Sequence, residues 1–374
     1  MENKQLLRYG MVGGGPDGNI GEKHRQAIAM SGDAVPAAGC FSRSMEKNRD
    51  MANMLGIAPE RCYRNYQEMA QKESERDDPI DFVVVVTPNA SHYEICKAFL
   101  EHGIHVVCDK PFTVTVEQAE ELARLARERQ RQVMVTYTYT GHHMFRRAKA
   151  MIASGQIGKV RKIVAEYPQC WLGDEQCYSS KQAQWRRDPK QSGQAHCLAD
   201  LCTHIENAVF TLTGLRAVRV LAKISGVVDS ATTDDDDMIM VEYENGATGM
   251  YWAAQHAYGQ DNDLYIRIYG SEGALFWSLQ TPLLVEWAGK DATRSTICAD
   301  PQDSSAIERY GILSRPGETG WVEAMCNLYH DYIACLKDER IGECCPNAVD
   351  GVAGVRFVQA CLESDRGGNV WMMI

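Results

Sequence analysis

The sequence lacks any run of 18 or more apolar residues, so no segment reads as a membrane-spanning helix. It also lacks an excess of positive charge. Lys and Arg number 39 against 50 Asp and Glu, a formal net charge of -11, which argues against a partner held by phosphate neutralisation such as nucleic acid. A local basic pocket stays open. The 14 cysteines include no C-x-x-C pair, so the signatures of a zinc ribbon and of a thioredoxin-type site are missing, and no metal is expected. The opening MENKQLLRYGMVGGG has no long apolar core of a secretory leader. Cysteines such as Cys96 and Cys108 lie inside apolar patterns, so reduced thiols in a cytoplasmic protein are expected. There is no internal repeat and no low-complexity segment. What remains is an ordinary globular composition, 45% hydrophobic over 374 residues, long enough for two domains.

Residues 1–140 alternate strand-like and helix-like patterns. Leu6–Val12, Ala34–Phe41, Phe82–Val86, Ile104–Val107 and Val133–Tyr139 read as strands, with helical spacing over Gly21–Ser31 and Met45–Leu55. Thr115 and Gln118 form a capping-box signature ahead of a helix whose apolar face is Val116, Ala119, Leu122, Ala123 and Ala126. This alternation predicts an α/β class: a Rossmann-type, doubly wound parallel sheet. The pattern changes over 141–374, where a helix (Met144–Ser154), a strand (Lys159–Tyr167), a polar loop (171–194) and a helical run (Leu198–Leu212) precede strands from 216 to about 288. Asn245-Gly246 reads as a type I′ hairpin turn, and the aspartate run 234–237 as a solvated loop. Two helices close the chain. The second domain is therefore expected to be α+β with an open, mostly antiparallel sheet.

The first strand runs into Gly13-Gly14-Gly15-Pro16-Asp17-Gly18-Asn19-Ile20-Gly21. Gly13 and Gly15 match the first two positions of G-x-G-x-x-G, a loop that lets a pyrophosphate approach backbone at a helix N-terminus. Gly18 fits the spacing of the third position, and Gly21 fits the start of the helix. After the second strand an NAD enzyme usually places an acid. Here Ser42 and Arg43 occupy that stretch; they suit a 2′-phosphate and tilt the cofactor from NAD toward NADP, unless Ser42 merely caps the next helix. Two further strand ends break into Thr87-Pro88-Asn89 and Asp109-Lys110-Pro111, and ligands of doubly wound sheets bind at such carboxyl ends.

These motifs, with His24 behind the glycine loop, Thr87-Pro88-Asn89-x-x-His92, the Gly103–Pro111 segment, Gly155-Gln-Ile-Gly158, Asp200-x-x-x-His204, Glu244-Asn245-Gly246 and Gly270-x-x-Gly273, resemble the glucose–fructose oxidoreductase / inositol dehydrogenase / MocA family over most of the chain. The resemblance implies a Rossmann domain, a second domain whose open sheet often makes homo-oligomers (dimers or tetramers), and NAD(P)-dependent chemistry on a hydroxyl of a sugar or cyclitol. Two departures stand out: Asp109-Lys110-Pro111 replaces the usual Glu-Lys-Pro, and the glycine loop is longer than usual.

Removing hydride from a carbinol carbon requires that the hydroxyl proton leave too. Lys110 would stabilise the developing oxyanion and could share the hydroxyl proton, and His204, of a residue type that titrates near neutrality, would act as base or acid. Asp200, four residues before His204 and so on the same face of a helix, would bind a neighbouring hydroxyl or orient the site. Tyr139, Lys181, Trp185 and Arg186 supply the polar and aromatic groups that carbohydrate recognition needs, and Trp185 also fits simple packing at the domain junction. His142-His143 reads as a loop feature, and His92 as a support for the cofactor turn. Two other activities fit the same residues: a redox-assisted glycosidase or lyase that keeps its nicotinamide bound, and a non-enzymatic sensor.

Overall fold

Five consecutive apolar residues, Phe82–Val86, make a stable strand only where both faces are covered. They form the centre of a parallel sheet in the computed structural model, which describes residues 6–16, 18–228, 231–300, 312–313, 320–338 and 345–374. The strands are β1 (Leu7–Gly13), β2 (Ala34–Cys40), β3 (Phe82–Val86), β4 (His105–Cys108) and β5 (Val133–Val135), in the order β2-β1-β3-β4-β5. All four pairings are parallel. The order reverses between β1 and β3, which is the switch point where such sheets bind ligands. The accompanying helices are α1 (Asn19–Ser31), α2 (Met45–Met54), α3 (Tyr66–Ser74), α4 (His92–Glu101) and α5 (Val116–Glu128). Thr115 caps α5 by accepting the Gln118 N–H at 3.3 Å. The reciprocal half of the box is not made, because the buried Gln118 Oε1 has no partner. The strand expected through Tyr139 stops at Val135; Thr138–Gly141 is a 3₁₀ turn instead.

The chain divides into two compact units, residues 1–138 with 321–352, and 139–320 with 353–374. Chain therefore passes between units three times, not once near residue 140 as the pattern change suggested. The second unit contains α6 (His143–Ala153), two short helices α7 (Lys181–Arg186) and α8 (Pro189–Ser192), and α9 (Thr203–Thr213). The segment 171–194 is thus not a plain loop: Ser180 and Asp188 accept backbone N–H groups and start α7 and α8. Its sheet consists of β6 (Val160–Pro168), β7 (Ala217–Ser225), β8 (Asp236–Tyr243), β9 (Thr248–Ala254), β10 (Tyr265–Gly270), β11 (Gly273–Ser278), β12 (Leu284–Gly289), β13 (Arg294–Cys298) and β14 (Met372–Met373). Their order is β13-β12-β11-β10-β6-β9-β8-β7-β14, antiparallel except for β6 with β9. Ile239, Val241, Tyr251 and Ala253 are buried on one face, while Met238, Met240 and Met250 are exposed on the other. The β8–β9 hairpin is not type I′. Gly246 has φ 82°, whereas Asn245 is not in the left-handed region; the Gly246 N–H donates to Tyr243 O, and the Tyr243 N–H to Ala247 O. That is a three-residue loop with its glycine at the left-handed position.

The last long helices are α10 (Trp321–Lys337) and α11 (Ala348–Arg366). α10 belongs to the first unit: Tyr332 donates its hydroxyl to Val106 O at 3.2 Å, and His330 Nδ1 lies 2.7 Å from Asp33 Oδ2. Among the described residues every cysteine except Cys335 is a free thiol; Cys335 is disulfide-bonded, which departs from the expectation of thiols throughout.

Candidate active site

Parallel register brings four strand ends of the first unit side by side. Gly13 of β1 pairs with Val86 of β3, Val85 with Cys108 of β4, and Cys108 with Val135 of β5. The glycine loop, the Thr87 turn, the Asp109 turn and Thr136 therefore emerge at one edge. Gly13 has φ 86°, and a Cβ there would lie 2.8 Å from Val86 O. A Cβ on Gly21 would lie 2.3 Å from Gly14 Cα, so Gly21 is the third glycine, the one that lets helix pack on strand. Gly18 is the N-cap of α1, which has no side-chain cap. The first N–H groups of α1 can therefore meet an anion, and the loop fits a dinucleotide pyrophosphate. Arg25, which sequence reasoning missed, donates to Gly14 O at 2.8 Å and ties the loop to its helix. Asp17 lies outside the described residues.

His92 joins two of the turns. Its Nδ1 lies 2.9 Å from Pro111 O and its Nε2 2.8 Å from Thr87 O, with the ring buried. Ser91 donates to Pro88 O at 2.7 Å, and Asn89 is buried at the start of the same 3₁₀ turn. In the second turn, Asp109 Oδ1 accepts the Lys110 N–H at 3.0 Å and the Thr136 hydroxyl at 2.6 Å. The Lys110-Pro111 bond is cis. After β2, Ser42 accepts the Ser44 N–H at 3.2 Å, and Ser44, not Ser42, caps α2. Arg43 is exposed.

In the second unit, Leu198–Cys202 forms a π turn that runs into α9. The expected single α-helical face is thereby corrected: a π turn bonds residue i to i+5, so Asp200 and His204 do not stack as they would on an α-helix. They are gathered by other residues. Gln255 Nε2 donates to Asp200 Oδ2 at 3.1 Å, and Arg186 Nε stands 3.8 Å from the same oxygen. The Arg186 guanidinium lies 4.4 Å over Trp185 and 5.6 Å from the Trp171 ring centre. His204 is buried against Tyr139, ring centres 4.7 Å apart, and Tyr167, 6.1 Å apart. The Tyr139 and Tyr167 hydroxyls share a hydrogen bond, and Tyr167 donates to Asn262 Oδ1 at 2.8 Å. Burial pushes the Tyr167 phenol well above its usual range and holds His142 down at about 3, so Tyr167 stays protonated and His142 neutral at pH 7. His142 and His143 are buried at the start of α6 and not in a loop. The Lys181 side chain lies outside what the structure describes. Among the described residues, no three His, Cys, Asp or Glu side chains gather as a metal ion requires.

The aspartate run is the largest departure from the sequence reading. Asp234, Asp235 and Asp237 are buried. Asp234 accepts the N–H groups of His196 (2.6 Å) and Leu198 (2.7 Å), anchoring the start of the π turn. Asp235 accepts those of Val227 and Val228, at 2.7 and 3.1 Å. Asp237 is fully buried beside the Cys197 thiol and the Asp234 carboxyl. Burial, then the charge of Asp234, push its carboxyl well above the usual range. The native state thus keeps a proton that the unfolded chain has lost, and stability falls as pH rises above the unfolded value near 4 toward the raised native value. Asp237→Asn has no such proton to lose. Its stability relative to wild type is expected to improve between pH 5 and pH 8, by up to about 4 kcal/mol for one proton held over the whole span, read by denaturant melts at the two pH values.

A switch-point glycine loop, an uncapped helix start and a lysine turn on a parallel sheet, followed by a separate sheet unit, define a dinucleotide-binding oxidoreductase. Residues 7–137 match an oxidoreductase family with an NAD-binding Rossmann fold, and residues 145–276 match the GFO/IDH/MocA C-terminal domain. The chain belongs to the GFO/IDH/MocA family. It is 33% identical to an uncharacterized oxidoreductase, YfiI, of Bacillus subtilis, over 98% of this chain and 96% of that one. It is 26% identical to a levoglucosan dehydrogenase of Pseudarthrobacter phenanthrenivorans, over 96% of each. Among solved structures, an inositol dehydrogenase homolog from Azotobacter vinelandii complexed with NAD+ superposes with a TM-score of 0.93 at 31% identity, covering 99% of this chain and 98% of that one.

Proposed function

We propose that the protein is an NAD(P)-dependent dehydrogenase of a secondary hydroxyl on a sugar, glycoside or cyclitol. The observation that carries this reading is the cluster of the second unit, in which Asp200, Arg186 and Gln255 are assembled beside the Trp171 and Trp185 rings, with His204 on the following turn. Several hydrogen-bonding groups beside flat apolar surface are what a polyol needs for recognition. The charges of Arg186 and Asp200 offset one another, which suits a neutral ligand. The names of the levoglucosan and inositol dehydrogenase relatives support the same class.

When bound, the nicotinamide supplies the hydride acceptor. Gly13, Gly15, Gly21 and the start of α1 would hold the pyrophosphate, with Thr87, Pro88, Asn89, His92 and Asp109 shaping the adjoining turns. Lys110 would stabilise the oxyanion and His204 would take its proton, with Asp200, Arg186, Tyr139, Trp185 and Lys181 toward the substrate. Arg43 is the group available for a 2′-phosphate. NAD+ in the Azotobacter structure supports NAD, so the choice falls to measurement. The test is a screen of inositols, anhydrosugars and glycosides with NAD+ and NADP+, read at 340 nm. A substrate-dependent absorbance rise is expected. Bond cleavage in a glycoside without net cofactor reduction would overturn the reading in favour of a redox-assisted glycosidase.

We also infer a cytoplasmic homo-oligomer. Met240 and Met250 are paired across β8 and β9, with Met238 beside them, all about half exposed on the outer sheet face. The double substitution Met240→Lys with Met250→Lys is expected to shift the protein to monomer in size-exclusion chromatography with light scattering. An unchanged mass would remove this face as the interface.

A further inference from the structure

His24 is fully buried in α1, where an apolar side chain would ordinarily serve. Its Nδ1 lies 2.6 Å from the Tyr329 hydroxyl of α10. Its Nε2 makes no hydrogen bond, yet faces Asp109 Oδ1 at 4.0 Å. That oxygen is the one already holding the Lys110 N–H and the Thr136 hydroxyl. The other charged or titratable groups near His24, Tyr329 and Asp109 are Arg25 on the same helix, Tyr9 of β1, Tyr332 of α10 and the Cys108 thiol of β4. Arg25 is committed to Gly14 O.

Burial holds the ring down at about 4, so it is neutral at pH 7 with a single proton to place. With that proton on Nδ1, a nitrogen lone pair would face the Asp109 carboxylate. With it on Nε2, the N–H dipole points at the carboxylate, and Tyr329, whose phenol burial keeps protonated, donates to Nδ1. Both interactions are then favourable, in a medium with little water to screen them.

We propose that His24 is a positioning residue for the Lys110 turn. Its Nε2–H tautomer, selected by Tyr329, fixes the Asp109 carboxylate, and Asp109 in turn fixes the backbone of Lys110. The inference rests on the reading of Lys110 as the residue that handles the reacting hydroxyl. It extends the active machinery to two groups, on α1 and α10, that need not touch substrate.

The test compares two amides. Glutamine can place a donor where Nε2 stands, whereas asparagine reaches only the end facing Tyr329. With the polyol returned by the screen, His24→Gln is expected to keep kcat within about threefold of wild type, and His24→Asn to lose about tenfold to a hundredfold, with KM for the dinucleotide within about twofold in both. Thermal melts establish that each variant is folded. Equal losses in the two amides would mean that the ring only fills space, and would overturn the proposal. Tyr329→Phe keeps the aromatic packing and frees the tautomer. It is expected to lower kcat about tenfold, and an unchanged kcat overturns the proposal even where neither His24 variant folds. Lys110→Met, assayed alongside, separates the two readings. Wild-type turnover there would remove the role of Lys110 itself, whereas an inactive Lys110→Met with indistinguishable amides would remove only that of His24.

Discussion

Lys110→Met is expected to lower kcat by about a hundredfold to a thousandfold while leaving dinucleotide affinity within about twofold. Methionine keeps most of the apolar stem and removes the charge and its donors. What shapes the turn is untouched by the change. Asp109 Oδ1 holds the backbone N–H of residue 110, and His92 holds the Pro111 carbonyl and, five residues before its own position, the Thr87 carbonyl. The glycine loop depends on Gly13, Gly21 and Arg25, none of which relies on the lysine side chain. Cofactor binding and chemistry should therefore separate cleanly. NADH fluorescence titration reads the first, and steady-state rates with the best polyol read the second. Lys110→Arg should not restore the rate, because a planar guanidinium cannot place its charge as a compact ammonium does. Wild-type turnover in Lys110→Met would remove the lysine from the mechanism.

Much of the first unit could be read from sequence because its signals are local. Phe82–Val86 is apolar without interruption and bounded by polar residues, and it became the central strand with those bounds. Lys110 was legible as a strand-end residue for the same reason. The third glycine was not. Gly18 and Gly21 both fit the motif, and only the 2.3 Å approach of a Gly21 Cβ to Gly14 decides between them. Thr136 was missed because its partner Asp109 is 27 residues away and is brought beside it by the β4–β5 register. The aspartate run misled because four like charges in sequence suggest solvent, while the donors that satisfy Asp234 come from residues 36 and 38 positions earlier. No local propensity announces a π turn, so the 200–204 spacing was read with the α-helical period.

That misreading bears on His204→Asn, which is expected to lower kcat for polyol oxidation by about a hundredfold to ten-thousandfold. The helix-face argument that first paired His204 with Asp200 no longer holds, but the surroundings of His204 supply a better one. Of the groups near it, Tyr167 keeps its proton because burial raises its phenol. His142, stacked on Tyr139, is held neutral by burial and by Arg146 down to a pKa of about 3, so it has no charge change to offer at neutral pH. Asp200 is occupied with Gln255 and Arg186. The mechanism proposed above therefore gives proton uptake to the imidazole whose ring the two tyrosines clamp. Asparagine can still hydrogen-bond a hydroxyl but cannot accept its proton, so KM should change less than kcat. The pH profile is the sharper measurement: the fall in kcat/KM on the acid side, where a histidine base protonates, should vanish in His204→Asn. A variant that kept both the rate and that acid limb would place the base elsewhere, and Lys110 would then be the first residue to test in its stead.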